Sequence, residues 1–531
     1  MSYKNKGQKM SVGITKYIQD VILKELKHLL VQTATKDPFT DEWASAKPFR
    51  SIPGPSKYKL FVEFLPGGRF HNKSLVELNT LWRKDYGDIF LIPGIFGKRD
   101  VLFTFQPNDY QTVFRTEGPQ PIRMGLDIVQ YHRQVHRPEI FKHAAGLVAE
   151  QGEGWAHFRT AVNPVMMNPK TTNVYAPKMN RVADEFLALI KRKRDSHTHE
   201  MSSDFESYIN YWAMDAVCLV ALDTELGMIN NSADHPKAKA VIDGMRKFFE
   251  LLFELDLKPS LWKYVATPNF RRVIRTLDEL TEISIHYIDE AIKRDAAQLA
   301  QRDVEQSVLQ RLISIDRTVA IVMAMDMMMA GVDTTTSAMT SCLLSLAKNT
   351  EKQCLLREEV LGILPDKHSA VTSAKLKNLP YLRACIKEAF RLYPVAAGNF
   401  RTTAQDVVLS GYQVPKGVDV AMPAYLLQRD EQNYGRPNEY LPERWLRGVS
   451  PVDASGCALN RNVPFVFLPF GFGPRICIGK RIVALELEVT LAKLIRNFEI
   501  GYDYPAEGMF KTNIIHVPAK PLHFKFTDVR T

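Results

Sequence analysis

The sequence predicts a mainly α-helical fold with small β-sheets, and three observations carry that expectation. Apolar residues recur at helical spacing along most of the chain from Pro53 onward. Strand signals are short and clustered. One stretch, "TVAIVMAMDMMMAGVDTTTSAMTSCLLSLA" from Thr318 to Ala347, is apolar nearly all round and has no glycine or proline except Gly331. It predicts a long buried helix, ~45 Å at 1.5 Å per residue.

The N-terminal stretch "MSYKNKGQKMSVGITKYIQDVILKELKHLLVQT" has four lysines and no acid before Asp20, with Ile14, Ile18, Val21, Ile22, Leu26, Leu29 and Leu30 at helical spacing. Its longest apolar runs are three residues, whereas a membrane-spanning helix needs about 20 and a secretory signal about 7–15. A basic, amphipathic, acid-poor start resembles a mitochondrial presequence, although no arginine precedes Arg50; an ordinary surface helix is the alternative. Further on, Pro53-Gly54-Pro55 in "SIPGPSKYKL" is a stiff non-helical hinge, expected to mark the start of folded structure. From there to the end no Gly/Ser linker, low-complexity tract or fixed-period repeat appears. Residues 1–35 are therefore expected to be a targeting segment with its linker, and 36–531 a single domain. The clearest strands are in "DVVLSGYQVPKGVDVAM", where Ser410-Gly411 and Pro415-Lys416-Gly417 supply turns between β-branched residues.

Composition excludes several function classes. The six cysteines are scattered, with no C-x-x-C pair and no zinc spacing, which argues against a disulfide framework and a structural metal site and fits a reducing compartment. A formal charge of +10 suits an anionic partner, but the basic residues are spread along the chain with no zinc finger or RNP-like motif, so nucleic acid is not expected.

Most free cysteines are small buried hydrophobes. Cys477 has different neighbours, in "FGFGPRICIG" from Phe470 to Gly479. Gly471, Gly473 and Gly479 permit positive φ and close approach to a flat partner, and Pro474 stiffens the turn. The following residues place Ile478, Ile482, Leu485, Val489 and Ala492 on one helical face, so Cys477 immediately precedes a helix N-terminus. Backbone N–H groups there favour a thiolate, and Arg475 adds a nearby cation that could hold an acidic cofactor group. Ligation of heme iron by that sulfur accounts for these features together, with Phe470 as the shield from water; a thiolate ligand favours O–O cleavage. A nucleophilic cysteine is the rival reading, but no local histidine base accompanies it.

The pattern F-x-x-G-x-R-x-C-x-G resembles the heme-binding loop of the cytochrome P450 family at every fixed position. Three further matches, in the family's order, extend the resemblance from about Pro53 to the C-terminus. "KEAFRLYP" carries Glu388 and Arg391 on a helix opened by Pro380, and "PERW" carries Arg444; by spacing alone the first two make a surface ion pair, while the resemblance implies that all three form a buried network supporting the heme loop. "GWAHFRTAV" carries Trp155 and Arg159, which by resemblance bind the heme propionates together with Arg401 and Arg475. "AGVDTT" lies in the long apolar stretch, for which a transmembrane helix is the alternative reading. The resemblance makes it the central helix over the heme, with Ala330 and Gly331 leaving space for oxygen and Asp333 and Thr334 as proton-relay groups. Gly479 completes the loop motif.

The resemblance thus implies a cytochrome P450 fold holding heme b (iron protoporphyrin IX) between that helix and the cysteine loop. It implies a heme-thiolate monooxygenase using O2. With no flavin or dinucleotide fingerprint, electrons are expected from another protein. Arg383, Lys387, Lys480 and Arg481 look like the docking residues of the mitochondrial branch, which binds an acidic iron–sulfur ferredoxin reduced by an NADPH-dependent ferredoxin reductase; a merely solvated basic face is the alternative. The chain most resembles insect mitochondrial members linked with detoxification, implying peripheral contact with the matrix face of the inner membrane. Pocket candidates by resemblance are the loop before Trp155, the helix face at Met329 and Ala330, the segment Val395 to Asn399, and Ile514 or Ile515; they are apolar and fit a lipophilic xenobiotic or a sterol. A heme-thiolate isomerase or dehydratase needing no reductase and a non-catalytic heme-binding protein are the alternatives, both disfavoured by Asp333-Thr334.

Overall fold

The structure, a computed structural model, describes residues 38–298, 306–446 and 463–529; the expected targeting segment, 1–35, lies outside them. By internal contacts the chain divides into two units, Met1–Ile52 with Asp406–Pro415 and Pro53–Gln405 with Lys416–Thr531. In the smaller unit the helix Pro38–Ser45 accompanies an antiparallel hairpin of Val407–Leu409 and Tyr412–Val414. Ser410 (φ 47°) and Gly411 (φ 77°) make its turn, the left-handed pair that suits a two-residue hairpin.

The larger unit is dominated by helices, with one four-stranded mixed sheet and two further two-stranded ladders. The sheet runs Ile89–Ile92, Val101–Thr104, Asp419–Met422, Asn399–Thr402, with the middle pair parallel and the outer pairs antiparallel. Arg401 therefore rides on its last strand. Pro53 lies beside its first strand, where Leu91 N–H donates to the Pro53 carbonyl at 2.8 Å. A Cβ on Gly54 would come 2.0 Å from the Leu91 carbonyl oxygen, so the hinge needs glycine.

The long apolar stretch is one helix, Arg317–Ala347, started by Asp316, whose carboxylate accepts the N–H groups of Thr318 (2.6 Å) and Val319 (3.2 Å). It is long and apolar enough to cross a membrane, yet most of its residues are buried against protein. The helices Phe205–Ala221, Val308–Ile315 and Pro380–Leu392 pack on it, which explains the lack of a polar face.

Glu388 and Arg391, on the helix that Pro380 opens, have fully buried side chains, as does Arg444. Glu388 Oε1 accepts from Arg391 Nη2 (2.8 Å), Arg444 Nε (3.0 Å) and the Leu441 N–H (3.0 Å); Oε2 accepts from Arg391 Nε and Trp445 Nε1, both at 2.9 Å. Arg391 also donates to the carbonyls of Gln428 (2.7 Å), Pro437 (2.6 Å) and Glu439 (3.0 Å). Gln428 Nε2 in turn donates to Val466 O at 3.0 Å. One carboxylate thus gathers an irregular stretch and holds the approach to the cysteine loop. Because removing one partner strands the other charge in the interior, Arg391→Ala should cost ~3–5 kcal/mol, read as a lower denaturant midpoint.

The helix Lys480–Asn497 follows that loop and buries Ile482, Leu485, Val489 and Ala492. It also buries Glu486, whose two carboxylate oxygens have no hydrogen-bond partner among the described residues. Burial pushes its pKa up from 4.5 to about 8. The folded state therefore keeps a proton that the unfolded chain releases, and stability falls as pH rises from about 4.5 to about 8. Glu486→Gln should flatten the plot of unfolding free energy against pH across that window.

Candidate active site

The cysteine loop is closed by its own backbone: Cys477 N–H donates to Phe470 O (2.9 Å), Ile476 N–H to Gly473 O (3.1 Å) and Gly471 N–H to Leu468 O (3.0 Å). Gly471 (φ 76°) and Gly473 (φ 71°) are left-handed, as the turn demands. Gly479 is not; its φ is −81°, and a Cβ there would sit 3.8 Å from Cys477 Sγ, an ordinary contact. Positive φ is thus not what Gly479 supplies. The ring of Phe470 meets Phe390 edge-on at 6.0 Å, and Lys480 Nζ lies 5.8 Å from the Phe470 ring centre.

The helix begins at Lys480, and the N–H groups of Gly479 and Lys480 favour the charged sulfur of Cys477. Arg159 and Arg123 add positive potential. The thiol nevertheless sits above its ordinary range, because desolvation outweighs these pulls. Cys477 has accessible surface, and the protein packed around it still desolvates the charged sulfur. The expected lowering by the helix start is present and is overruled by burial.

Around the loop lie Arg123, Arg159, Arg401 and Arg475. Arg401 pairs with Glu117 and donates to Phe400 O (2.9 Å) and Phe472 O (3.0 Å). Arg475 donates through Nε to Pro121 O (2.7 Å) and through Nη2 to Glu150 O (2.6 Å) and Gln151 Oε1 (3.0 Å), with its guanidinium 4.4 Å from the Trp155 ring centre. Trp155 and Arg159 are both buried on the helix Gly152–Met166. Arg159 Nε and Arg475 Nη1 are buried without a hydrogen-bond partner among the described residues. Desolvation and the neighbouring guanidinium groups lower Arg475 to about 9 and Arg123 to about 10, and burial lowers Arg159. Four guanidinium groups thus face one carboxylate and one thiol.

On the central helix, Thr334 Oγ1 donates to Ala330 O at 2.6 Å, and Ala330 is exposed although its helix is mostly buried. Thr335 and Thr336 are buried with unpartnered hydroxyls, so Thr334 is the accessible alcohol of the three. Gly331 does not open space on that side: a Cβ there would lie 2.6 Å from Val217 Cγ2, so the residue lets the helix Phe205–Ala221 come close. Asp333 lies in a small polar pocket with Ser207, Asn210, Lys239, Asp243 and Arg246. Burial raises it to about 6, opposed by Arg246, which is itself paired with Glu206.

Among the basic residues, Lys387, Lys480 and Arg481 are exposed. Lys387 Nζ is 5.8 Å from the Trp445 ring centre. Arg383 is half-buried and engaged, donating to Glu488 (3.2 and 3.3 Å) and Lys377 O (3.4 Å).

The cytochrome P450 family profile matches residues 52–526. The chain belongs to the cytochrome P450 family. It is 47% identical over 498 residues to cytochrome P450 CYP12A2 of Musca domestica, covering 92% of this chain and 93% of that one. It is 42% identical to cytochrome P450 12b1, mitochondrial, of Drosophila acanthoptera, with 92% of each chain covered. It is therefore a heme-thiolate monooxygenase that binds heme b. The residues present fit that group: a flat dianionic ligand answers the surplus of buried guanidinium charge and the two orphaned N–H groups.

Sequence reasoning missed Arg123 and Glu117, which belong to no motif and reach the site only through the chain's path. It also missed Arg246 and Glu206 beside Asp333. The difference between the glycines is testable by heme content. Gly473→Ala, strained at positive φ and driven to 1.9 Å from Glu117 Oε1, should lose most heme on purification; Gly479→Ala should keep the fold.

Proposed function

We propose that the protein inserts one oxygen atom from O2 into a lipophilic substrate, xenobiotic or sterol-like, in the mitochondrion, with electrons from an iron–sulfur ferredoxin reduced by an NADPH-dependent ferredoxin reductase. In this reading residues 1–35 are the targeting segment with its linker, 36–531 are one cytochrome P450 domain, and the domain rests on the matrix face of the inner membrane. The observation that carries it is Cys477, just before a helix start and near buried guanidinium groups, in a chain whose central helix exposes Ala330 beside half-buried Thr334.

Heme b with thiolate ligation supplies O2 activation, one oxygen entering the substrate and the other leaving as water. Cys477 would hold the heme iron through its sulfur. The N–H groups of Gly479 and Lys480 favour its negative charge. Trp155, Arg159, Arg401 and Arg475 would hold the propionates, with Arg123 beside them, and Phe470 would shield the sulfur side. Thr334 gives its hydrogen to Ala330 O, which leaves its oxygen lone pairs to accept from an arriving donor. Asp333, lifted to about 6, holds or yields a proton near neutral pH and draws it from the polar pocket at Arg246.

Lys387, Lys480 and Arg481 stand exposed around the cysteine loop and suit an acidic donor; Arg383, held by Glu488, contributes less. The relative's name places that protein in the mitochondrion. For the membrane, Tyr58, Val62 and Leu65 are exposed on and just after the helix Lys57–Phe64, as are Leu261, Tyr264 and Val265. The two groups meet through the turn at Phe96-Gly97: Phe61 packs on Phe96 at 5.7 Å, and a Cβ on Gly97 would touch Tyr264. An apolar patch flanked by Lys57, Lys59 and Lys263 suits an anionic bilayer surface.

The test of ligation is spectroscopic: the reduced carbon-monoxide complex should show the red-shifted Soret band of thiolate ligation, and Cys477→Ser should lose it. An unchanged band in the variant overturns the reading. Thr334→Ala should retain heme yet lower product per NADPH by at least ~10-fold, and Asp333→Asn should slow turnover and abolish a break in its pH profile near 6. Lys387→Glu with Arg481→Glu should slow reduction by ferredoxin without altering substrate-induced spectra, and the parent's rate should fall as ionic strength passes ~0.1 M.

A further inference from the structure

The segment 121–151 meets the cysteine loop at both ends. At its ends Arg475, two residues before Cys477, donates to the carbonyls of Pro121 and Glu150. In its middle it is clipped to the central helix by a buried ion pair. Arg133 Nη1 donates to Asp326 Oδ1 at 2.6 Å, with side-chain exposures of 2% and 4%. Arg133 Nη1 also donates to Ala145 O (2.8 Å), while Asp326 Oδ2 accepts the Leu147 N–H (2.7 Å). Gly146 (φ 80°) lies flat against the pair; a Cβ would come 2.4 Å from Arg133 Nη1 and 2.5 Å from Asp326 Oδ2.

Two features make this more than packing. Arg133 sits in a π-helical turn, His132–His136, the kind of local widening that re-aims a side chain. The same turn is tied from its other side: His132 and His136 share Asp278 at 3.0 and 3.1 Å, and Arg137 reaches Asp278 (3.3 Å) and Glu282 (2.7 Å) on the helix Pro268–Gln298. The second guanidinium nitrogen, Nη2, lies 3.5 Å from Met329 Sδ, and Met329 is the neighbour of exposed Ala330. An apolar pair of equal volume would cost no desolvation, so a buried charged pair here is spent on direction.

We propose that Arg133 and Asp326 are positioning residues that fix segment 121–151 against the central helix and hold Met329 in place, setting the size of molecule that reaches Ala330 and Thr334. The reading rests on the heme-thiolate site described above. Asp326 does not touch the reacting atoms; it acts through Arg133 and Met329.

The test compares the parent, Asp326→Asn, and the double variant Arg133→Met with Asp326→Leu, using spectral binding of imidazole as a small probe and clotrimazole as a bulky one. Hydrogen exchange of residues 121–151 is measured in the same heme-loaded proteins without probe. The double variant, having no stranded charge, should melt within a few degrees of the parent. It should bind imidazole unchanged, shift clotrimazole affinity by about tenfold, and exchange faster over 121–151. Asp326→Asn keeps the shape and should show the same changes in smaller measure, and it decides the matter if the double variant does not fold. An unchanged ratio of the two affinities with unchanged exchange overturns the proposal. A parent without the thiolate band on reduction would instead overturn the underlying site, so the two failures are distinguishable.

Discussion

The larger unit depends on how it treats charge removed from water. Two groups of buried ions are handled in opposite ways. Glu388 is saturated by five donors from Arg391, Arg444, Trp445 and Leu441, and the surplus donors of Arg391 are spent on backbone carbonyls. Such a group is complete in itself and can be structural. The arginines around Cys477 are not complete: Arg159 Nε and Arg475 Nη1 have no partner among the described residues, and Glu117 answers only Arg401 directly. A protein interior does not tolerate unanswered cations without cost. The imbalance therefore points to an anionic ligand at the second group, and a dianionic heme meets it.

The central helix solves a related problem along its length. A helix buried nearly all round has no free face, so each functional group needs a local exception to close packing. Ala330 leaves one face accessible, Thr334 turns its hydrogen back into the helix at that point, and Asp333 points into a polar pocket beside other helices. Gly331 makes the arrangement possible from behind, because Val217 occupies the space its side chain would need. Acid and alcohol are adjacent in sequence, yet Asp333 lies in a polar pocket between helices and Thr334 beside exposed Ala330.

What was legible in the sequence was what depends on local periodicity and on fixed spacing. The long helix, the Ser410-Gly411 hairpin, the Pro380 helix start and the cysteine loop all follow from residue order alone. Glu388 with Arg391 was legible only through its family motif, since by spacing the pair reads as an ordinary surface contact. Arg123, Glu117, Arg133 and Asp326 were not legible, because their partners stand far away in sequence and only the fold brings them together. The thiol of Cys477 shows a further gap. Sequence supplies the N–H groups that lower its pKa but not the depth of burial that raises it, and burial is the larger effect.

Arg475 shows why a motif residue can resist substitution for two reasons at once. Its Nη1 is buried with no hydrogen-bond partner among the described residues. The remaining donors are already committed: Nε and Nη2 span from Pro121 to Glu150 and Gln151, drawing together the ends of the segment that Asp326 grips in the middle. A lysine carries the same charge on one nitrogen and cannot reach divergent carbonyls while lying flat on Trp155. The planar fork thus couples cofactor recognition to the shape of the cleft, so a change at Arg475 would be felt at Arg133 and Met329 as well as at the loop itself.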